Sequence, residues 1–206
     1  MEPNLPNVLT ISRVLATPVV CVLLYLDTGL SVWLALLAFI YACVTDFLDG
    51  FLARSWDQQS SFGRFLDPIA DKLLVGLVLL MLVGIDRMPG AHVLPAAVIL
   101  GREILVSGLR EYLAELNVPM PVTRLSKWKT TLQMVAIGFL LTGPHGPALG
   151  PIDFTDIGLF GVWGAALLTI ITGYDYLRAG LGLMGSADPR ARPPKLKGVD
   201  PASDVR

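Results

Sequence analysis

The chain has 206 residues, of which 53% are hydrophobic and 16% charged, and its mean hydropathy is +0.62. These values exclude an ordinary water-soluble domain and point to a membrane protein with several spans. A formal net charge of −1 shows no overall excess of basic residues, and no nucleic-acid partner is expected.

A spanning helix needs about 20 mostly apolar residues. Six segments qualify in chain order, residues 8–26, 31–54, 67–85, 91–116, 126–142 and 154–183. The expected fold is all-α and integral to the membrane: six transmembrane helices with an N-terminal interfacial segment, forming one domain over residues 1–184. The opening MEPNLPNVLTISR carries neither a basic stretch nor a small-residue cleavage site before its apolar run, so the first span is expected to be retained. Asn7, Thr10 and Arg13 recur at spacings of three and are candidates for the rim of a site. Cys21 and Cys43 lie in apolar helical stretches and read as small buried hydrophobes.

Lys and Arg are distributed unevenly between the two sides. Arg54, Arg64, Arg110, Arg124, Lys127, Lys129 and Arg178 fall on one side with the cations of the tail, and Arg87 alone lies in a loop on the other. The positive-inside rule therefore puts both termini and the loops 55–66 and 117–125 in the cytoplasm. Residues 185–206, rich in Pro, Ser and charge, have too little apolar surface to fold alone and are expected to be a disordered cytoplasmic tail.

The second span ends in TDFLDGFLAR. Asp46 and Asp49 are three residues apart and share a helix face, which Gly50 and Ala53 continue. The third span opens with DPIADKLLVG, where Asp67 suits an N-cap, Pro68 suits the first helical position and Asp71 shares the face of Asp67. Two helices joined by a short loop are expected to be neighbours, which brings all four carboxylates to one point near the cytoplasmic interface. Four close negative charges call for cations. Hard oxygen donors in this number suit two Mg²⁺ or Mn²⁺ ions, a pair able to clamp a phosphoryl centre. Gly50, Ala53 and Gly63 leave room beside the acids for a bulky group.

In the fourth span, GREILVSGLREYLAE places Arg102 and Glu103 deep and Arg110 near the cytoplasmic end, with Glu103, Ser107 and Arg110 on one stripe. The fifth opens with RLSKWKTTLQ, whose Lys127 and Lys129 sit in a first helical turn that already attracts anions. These features suit a phosphorylated partner better than a neutral one. Arg110, Lys127 and Lys129 are the leading candidates to hold it, followed by Arg102 and Arg124. Trp56 and Trp128 mark the headgroup level. His92 and His145 lie away from the acids and are assigned no chemistry.

The full spacing Asp46-x2-Asp49-Gly50-x2-Ala53-Arg54-x8-Gly63-x3-Asp67-x3-Asp71 fixes eight positions over 26 residues, and it resembles the signature of the CDP-alcohol phosphotransferase family. The resemblance implies a six-span homodimeric enzyme that attacks the diphosphate of a CDP-linked lipid with an alcohol and releases CMP. It implies metal ligation by Asp46, Asp49, Asp67 and Asp71, with Asp71 also taking the acceptor's proton. Asp49, Gly50, Ala53, Arg54 and Gly63 would face the CDP-diacylglycerol donor. PNVLTISR, LDPIADKLLV, REILVSGLRE and KWKT resemble one bacterial branch of the family, whose acceptor is sn-glycerol 3-phosphate and whose site faces the cytoplasm from the inner membrane. Ser126 departs from that branch, where Gly usually stands. Inositol, inositol phosphate, serine and phosphatidylglycerol are the alternative acceptors. A divalent-cation transporter would spread its acids along a transmembrane path; here they gather at one end.

Overall fold

The structure, a computed structural model, describes residues 5–55, 61–115, 124–147 and 150–186. It holds six α-helices in chain order: α1 Leu5–Leu26, α2 Gly29–Ser55, α3 Ser61–Gly84, α4 Val93–Glu115, α5 Arg124–Thr142 and α6 Phe154–Ser186. Among the described residues there is no strand. Stretches of four helices are long and apolar enough to cross a membrane: Asn7–Leu26, Gly29–Asp46, Gly90–Ala114 and Phe154–Arg178. The other two helices, α3 and α5, carry Asp67, Asp71 and Lys72, and Lys127 and Lys129, respectively. Charge at the site also comes from span-length helices, through Asp46 of α2 and Arg102, Glu103 and Arg110 of α4.

Local chemistry sets several helix ends. At the start of α2, Thr28 and Ser31 exchange hydrogen bonds, Thr28 N–H to Ser31 Oγ at 2.9 Å and Ser31 N–H to Thr28 Oγ1 at 3.2 Å. Asp153 and Asp156 repeat this reciprocal box at the start of α6, at 3.3 and 2.8 Å. Asp27 after α1 and Asp86 after α3 take positive φ, 43° and 59°, a region that aspartate tolerates better than most residues.

The helices form two groups. α1 packs on α2 and α3, α6 packs on α4 and α5, and the groups meet where α2 touches α5 and α3 touches α4. Where they meet, Leu24, Phe39, Leu74, Val78, Ile99 and Ile137 make a dry core. Close approach relies on small residues in α6: a Cβ on Gly161 would lie 2.7 Å from Cβ of Ala136 in α5. The outer surface reverses the soluble pattern. Phe160, Leu15 and Leu167 are exposed, while Thr10, Arg13, Lys129 and Gln133 are buried, as expected of a bundle solvated by lipid.

Two sequence expectations change here. α3 begins at Ser61, so Asp67 and Pro68 lie inside the helix, where Asp67 cannot act as an N-cap, and the expected loop is correspondingly shorter. Pro68 loses the hydrogen bond to the carbonyl one turn back and crowds that carbonyl with its ring, yet α3 continues through it. Nor are α2 and α3 close neighbours among the described residues, because α1 lies between them.

The end of the bundle opposite the acids is fastened by Arg87, which is 4% exposed. Its guanidinium pairs with Asp27 and donates to the carbonyls of Leu140 and Leu141 at 3.2 and 3.4 Å. Gly143, at φ +46°, makes room for it: a Cβ there would fall 1.7 Å from Arg87 Nη1. His145 Nε2 lies 3.7 Å from the same Asp27 carboxylate, and Trp163 donates to His92 Nδ1 at 3.0 Å. Both histidines are therefore remote from the acids, in keeping with the sequence reading.

Candidate functional site

Asp46 near the end of α2, and Asp67 and Asp71 in the first turns of α3, open onto one cleft of about 270 Å³. Its opposite wall is the stripe on α4, comprising Arg102, Glu103, Val106, Ser107 and Arg110, with Lys72 completing the lining. The three-to-four-residue repeat read from the sequence is the face that α4 presents. A second lobe of about 300 Å³ also takes in Asp46 and Asp71, together with Arg13, Thr130 and Thr131. Cys43, Met134 and Val135 of that lobe also line an apolar groove of about 460 Å³ between α2 and α5. The polar cleft thus leads into a surface suited to hydrocarbon.

The acids are held by α1. Arg13, 0% exposed, donates through Nη1 to Asp46 Oδ1 at 2.5 Å. One turn earlier Thr10, 1% exposed, donates through Oγ1 to Asp67 Oδ1 at 2.6 Å. The rim residues suggested by the sequence therefore lie deeper than a rim. Their spacing of three was the signal, and it put both on the α1 face that is wedged between α2 and α3.

On the cationic side the structure separates residues that the sequence grouped. Arg110 is exposed on the cleft wall, and Lys127 is exposed at the start of α5. Lys129, 2% exposed, is turned inward to the carboxylate of Glu103, which also accepts from Arg102 Nη1 at 3.3 Å. Arg102 lies over the ring of Tyr176 with its charge centre 5.4 Å from the ring centroid. Its Nε and Nη2 are buried without a hydrogen-bond partner. One carboxylate thus serves two buried cations, leaving the cluster with an excess of positive charge beside the cleft.

Gly63 is buried in the first turn of α3. The side chains of Asp49, Gly50, Ala53, Arg54 and Arg124 lie outside the described residues, although the helices α2 and α5 run through those positions. Among the described residues no three His, Cys, Asp or Glu side chains lie close enough to share an ion. The donors that do line the cleft are carboxylate oxygens, the kind that Mg²⁺ and Mn²⁺ take, and Asp49 follows Asp46 by one helical turn. The donor chemistry fits those ions.

Fold and site together define an α-helical membrane protein whose cleft sets carboxylates against cations, an arrangement suited to a phosphate-bearing substrate. The sequence pattern of the CDP-alcohol phosphatidyltransferases matches residues 3–171, and the chain belongs to that family. Over 87% of its length it is 47% identical to a CDP-diacylglycerol–glycerol-3-phosphate 3-phosphatidyltransferase of Rickettsia prowazekii (strain Madrid E), 96% of which is covered. Proteins of the same name from Cereibacter sphaeroides (strain ATCC 17023) and Escherichia coli (strain K12) are each 42% identical to it. The matches cover 88% and 87% of this chain and 97% and 96% of those proteins, respectively.

Proposed function

We propose that this protein transfers the phosphatidyl group of CDP-diacylglycerol to sn-glycerol 3-phosphate, giving phosphatidylglycerophosphate and CMP, as a phosphatidylglycerophosphate synthase of phospholipid biosynthesis. The observation that carries this reading is the cleft in which Asp46, Asp67 and Asp71 face Arg102 and Arg110. Similarity to bacterial enzymes of that name over most of the chain supports the donor and the acceptor. The apolar groove that joins the cavity suits a lipid donor. In this reading α3 and α5 span the membrane with the other four helices, both termini and the cleft face the cytoplasm of a bacterium, and the chain works as a homodimer. Residues 1–184 form the membrane domain and 185–206 the tail.

Asp46, Asp49, Asp67 and Asp71 are the residues that would hold two divalent ions, Mg²⁺ or Mn²⁺. When bound, such ions neutralise the diphosphate and the departing CMP. The chain's own groups do the rest. Arg110 and Lys127 bind the phosphate of the acceptor, with Arg102 and Lys129 adding positive potential behind them and Arg124 a further candidate for that phosphate. Gly50, Ala53 and Arg54 form the floor for the nucleotide and its phosphates, and Gly63 leaves room beside them. Asp71 accepts the proton of the acceptor's primary hydroxyl as its oxygen bonds to the β-phosphorus. The bond from that phosphorus to the bridging oxygen breaks, and CMP leaves with the electron pair.

The test is CMP release by the purified protein in detergent with CDP-diacylglycerol and Mg²⁺, comparing glycerol 3-phosphate, inositol phosphate, inositol, serine and phosphatidylglycerol. Turnover with glycerol 3-phosphate alone, abolished by EDTA and by Asp71→Asn, is the expected result. Turnover with another acceptor overturns the roles given to Arg110 and Lys127. No turnover from folded protein overturns the enzymatic reading.

A further inference from the structure

In the structure α1 separates the two helices that bear the acids, and it does so with a polar face. Thr10 and Arg13 are one turn apart, both are buried, and each bonds a carboxylate on a different helix, Asp67 of α3 and Asp46 of α2. The contacts join residues 57 and 33 positions apart in sequence, so no local rule produces them. Each of these bonds engages one oxygen of its carboxylate and so restricts how that carboxylate can turn. A hydroxyl and a guanidinium in this part of a membrane bundle are expensive to bury without such partners. Packing alone would place aliphatic side chains here.

We infer that Thr10 and Arg13 are positioning residues for the acid cluster, setting the separation and orientation of Asp46 and Asp67 and thereby the affinity of the site for a divalent cation. The inference rests on the proposal that these acids hold Mg²⁺ or Mn²⁺, and adds to it two residues that act through the carboxylates they bond. Hydrogen-bond partners behind metal-binding carboxylates change metal affinity by roughly 10- to 100-fold when removed. Thr10 is the cleaner probe, because Thr10→Val keeps shape and charge and removes the hydroxyl.

The experiment measures Mn²⁺ binding to the full chain in detergent by the loss of the free Mn²⁺ resonance signal, together with the melting temperature of each variant. Thr10→Val is expected to weaken Mn²⁺ binding roughly 10-fold with an unchanged melting temperature. Thr10→Ser, which keeps the hydroxyl, should bind as the unaltered protein does. Arg13→Lys, which keeps the charge but not the reach and planarity of the guanidinium, should weaken binding in the same direction. Unaltered Mn²⁺ affinity in Thr10→Val overturns the inference and leaves the metal reading standing. Parallel loss of affinity and melting temperature in both Thr10 variants also overturns it, since the shape of the side chain and not its hydroxyl would then account for the loss. Failure of the unaltered protein to bind Mn²⁺ overturns the inference and the metal reading together.

Discussion

Arg87 and Asp27, 60 residues apart in sequence, pair at the end of the bundle opposite the acids, and the same guanidinium bonds the last carbonyls of α5. Asp27 is 42% exposed, so solvent weakens its share, and the buried bonds to Leu140 and Leu141 carry more. Arg87→Met is expected to cost about 2 kcal/mol, or roughly 4–8 °C in melting temperature for a chain of this size. Because the clamp is remote from the cleft, KM for both substrates should hold at low temperature. Thermal unfolding and initial rates measured on one preparation check both statements.

Gly143 is constrained twice, by its positive φ and by the guanidinium beside it. Gly143→Ala should destabilise by about 2 kcal/mol or more, with most of that from the clash with Arg87. In an Arg87→Met background the clash is relieved, so the two effects should be markedly non-additive. Additivity in a double-mutant cycle would refute this account of the close approach.

Arg110 and Lys129 are both cations near the cleft but should respond differently to substitution. Arg110 is exposed on the cleft wall, and Arg110→Gln should lower kcat/KM for glycerol 3-phosphate by roughly 10- to 100-fold through KM while the melting temperature holds. Lys129 is buried against Glu103, so Lys129→Met leaves that carboxylate with fewer partners and should lower stability as well as rate. Steady-state kinetics with the acceptor varied, combined with thermal unfolding, separates the two.

Glu103 balances Arg102 and Lys129 together. Glu103→Gln leaves two buried cations facing each other without an anion, and it should destabilise more than Glu103→Gln made in a Lys129→Met background. Comparison of the four melting temperatures, those of the unaltered protein, the two single variants and the double variant, checks this.

The helices, four of them long and apolar enough to span, and the shared face of Asp67 and Asp71 were legible because both depend on local spacing. Twenty apolar residues make a span wherever they occur, and carboxylates at i and i+3 or i+4 share a face whatever the fold. The stripe of Glu103, Ser107 and Arg110 was legible for the same reason. What was not legible is non-local. A short link between α2 and α3 says nothing about a third helix between them, and only the polar face at Thr10 and Arg13 hinted at it. Counting charges by side placed Arg87 correctly at the far end but could not distinguish a loop cation from one packed under α5. It also treated Lys127 and Lys129 as equals, although a helix two residues further on has turned by more than half a circle. The Asp-Pro pair suggested a helix start, and the structure runs the helix through it.

The α1–Asp46 contact also bears on how the protein enters a bilayer. Synthesis delivers Arg13 before its carboxylate partner, which follows 33 residues later on the next helix. Alone in lipid, the first helix would carry a cation that resists insertion; paired, the first two helices form a hairpin whose charges cancel. Insertion of α1 is therefore expected to be inefficient in a fragment that stops before Asp46 and to recover once α2 is included. Glycosylation mapping of truncated chains would measure this, and equal insertion of both fragments would refute it.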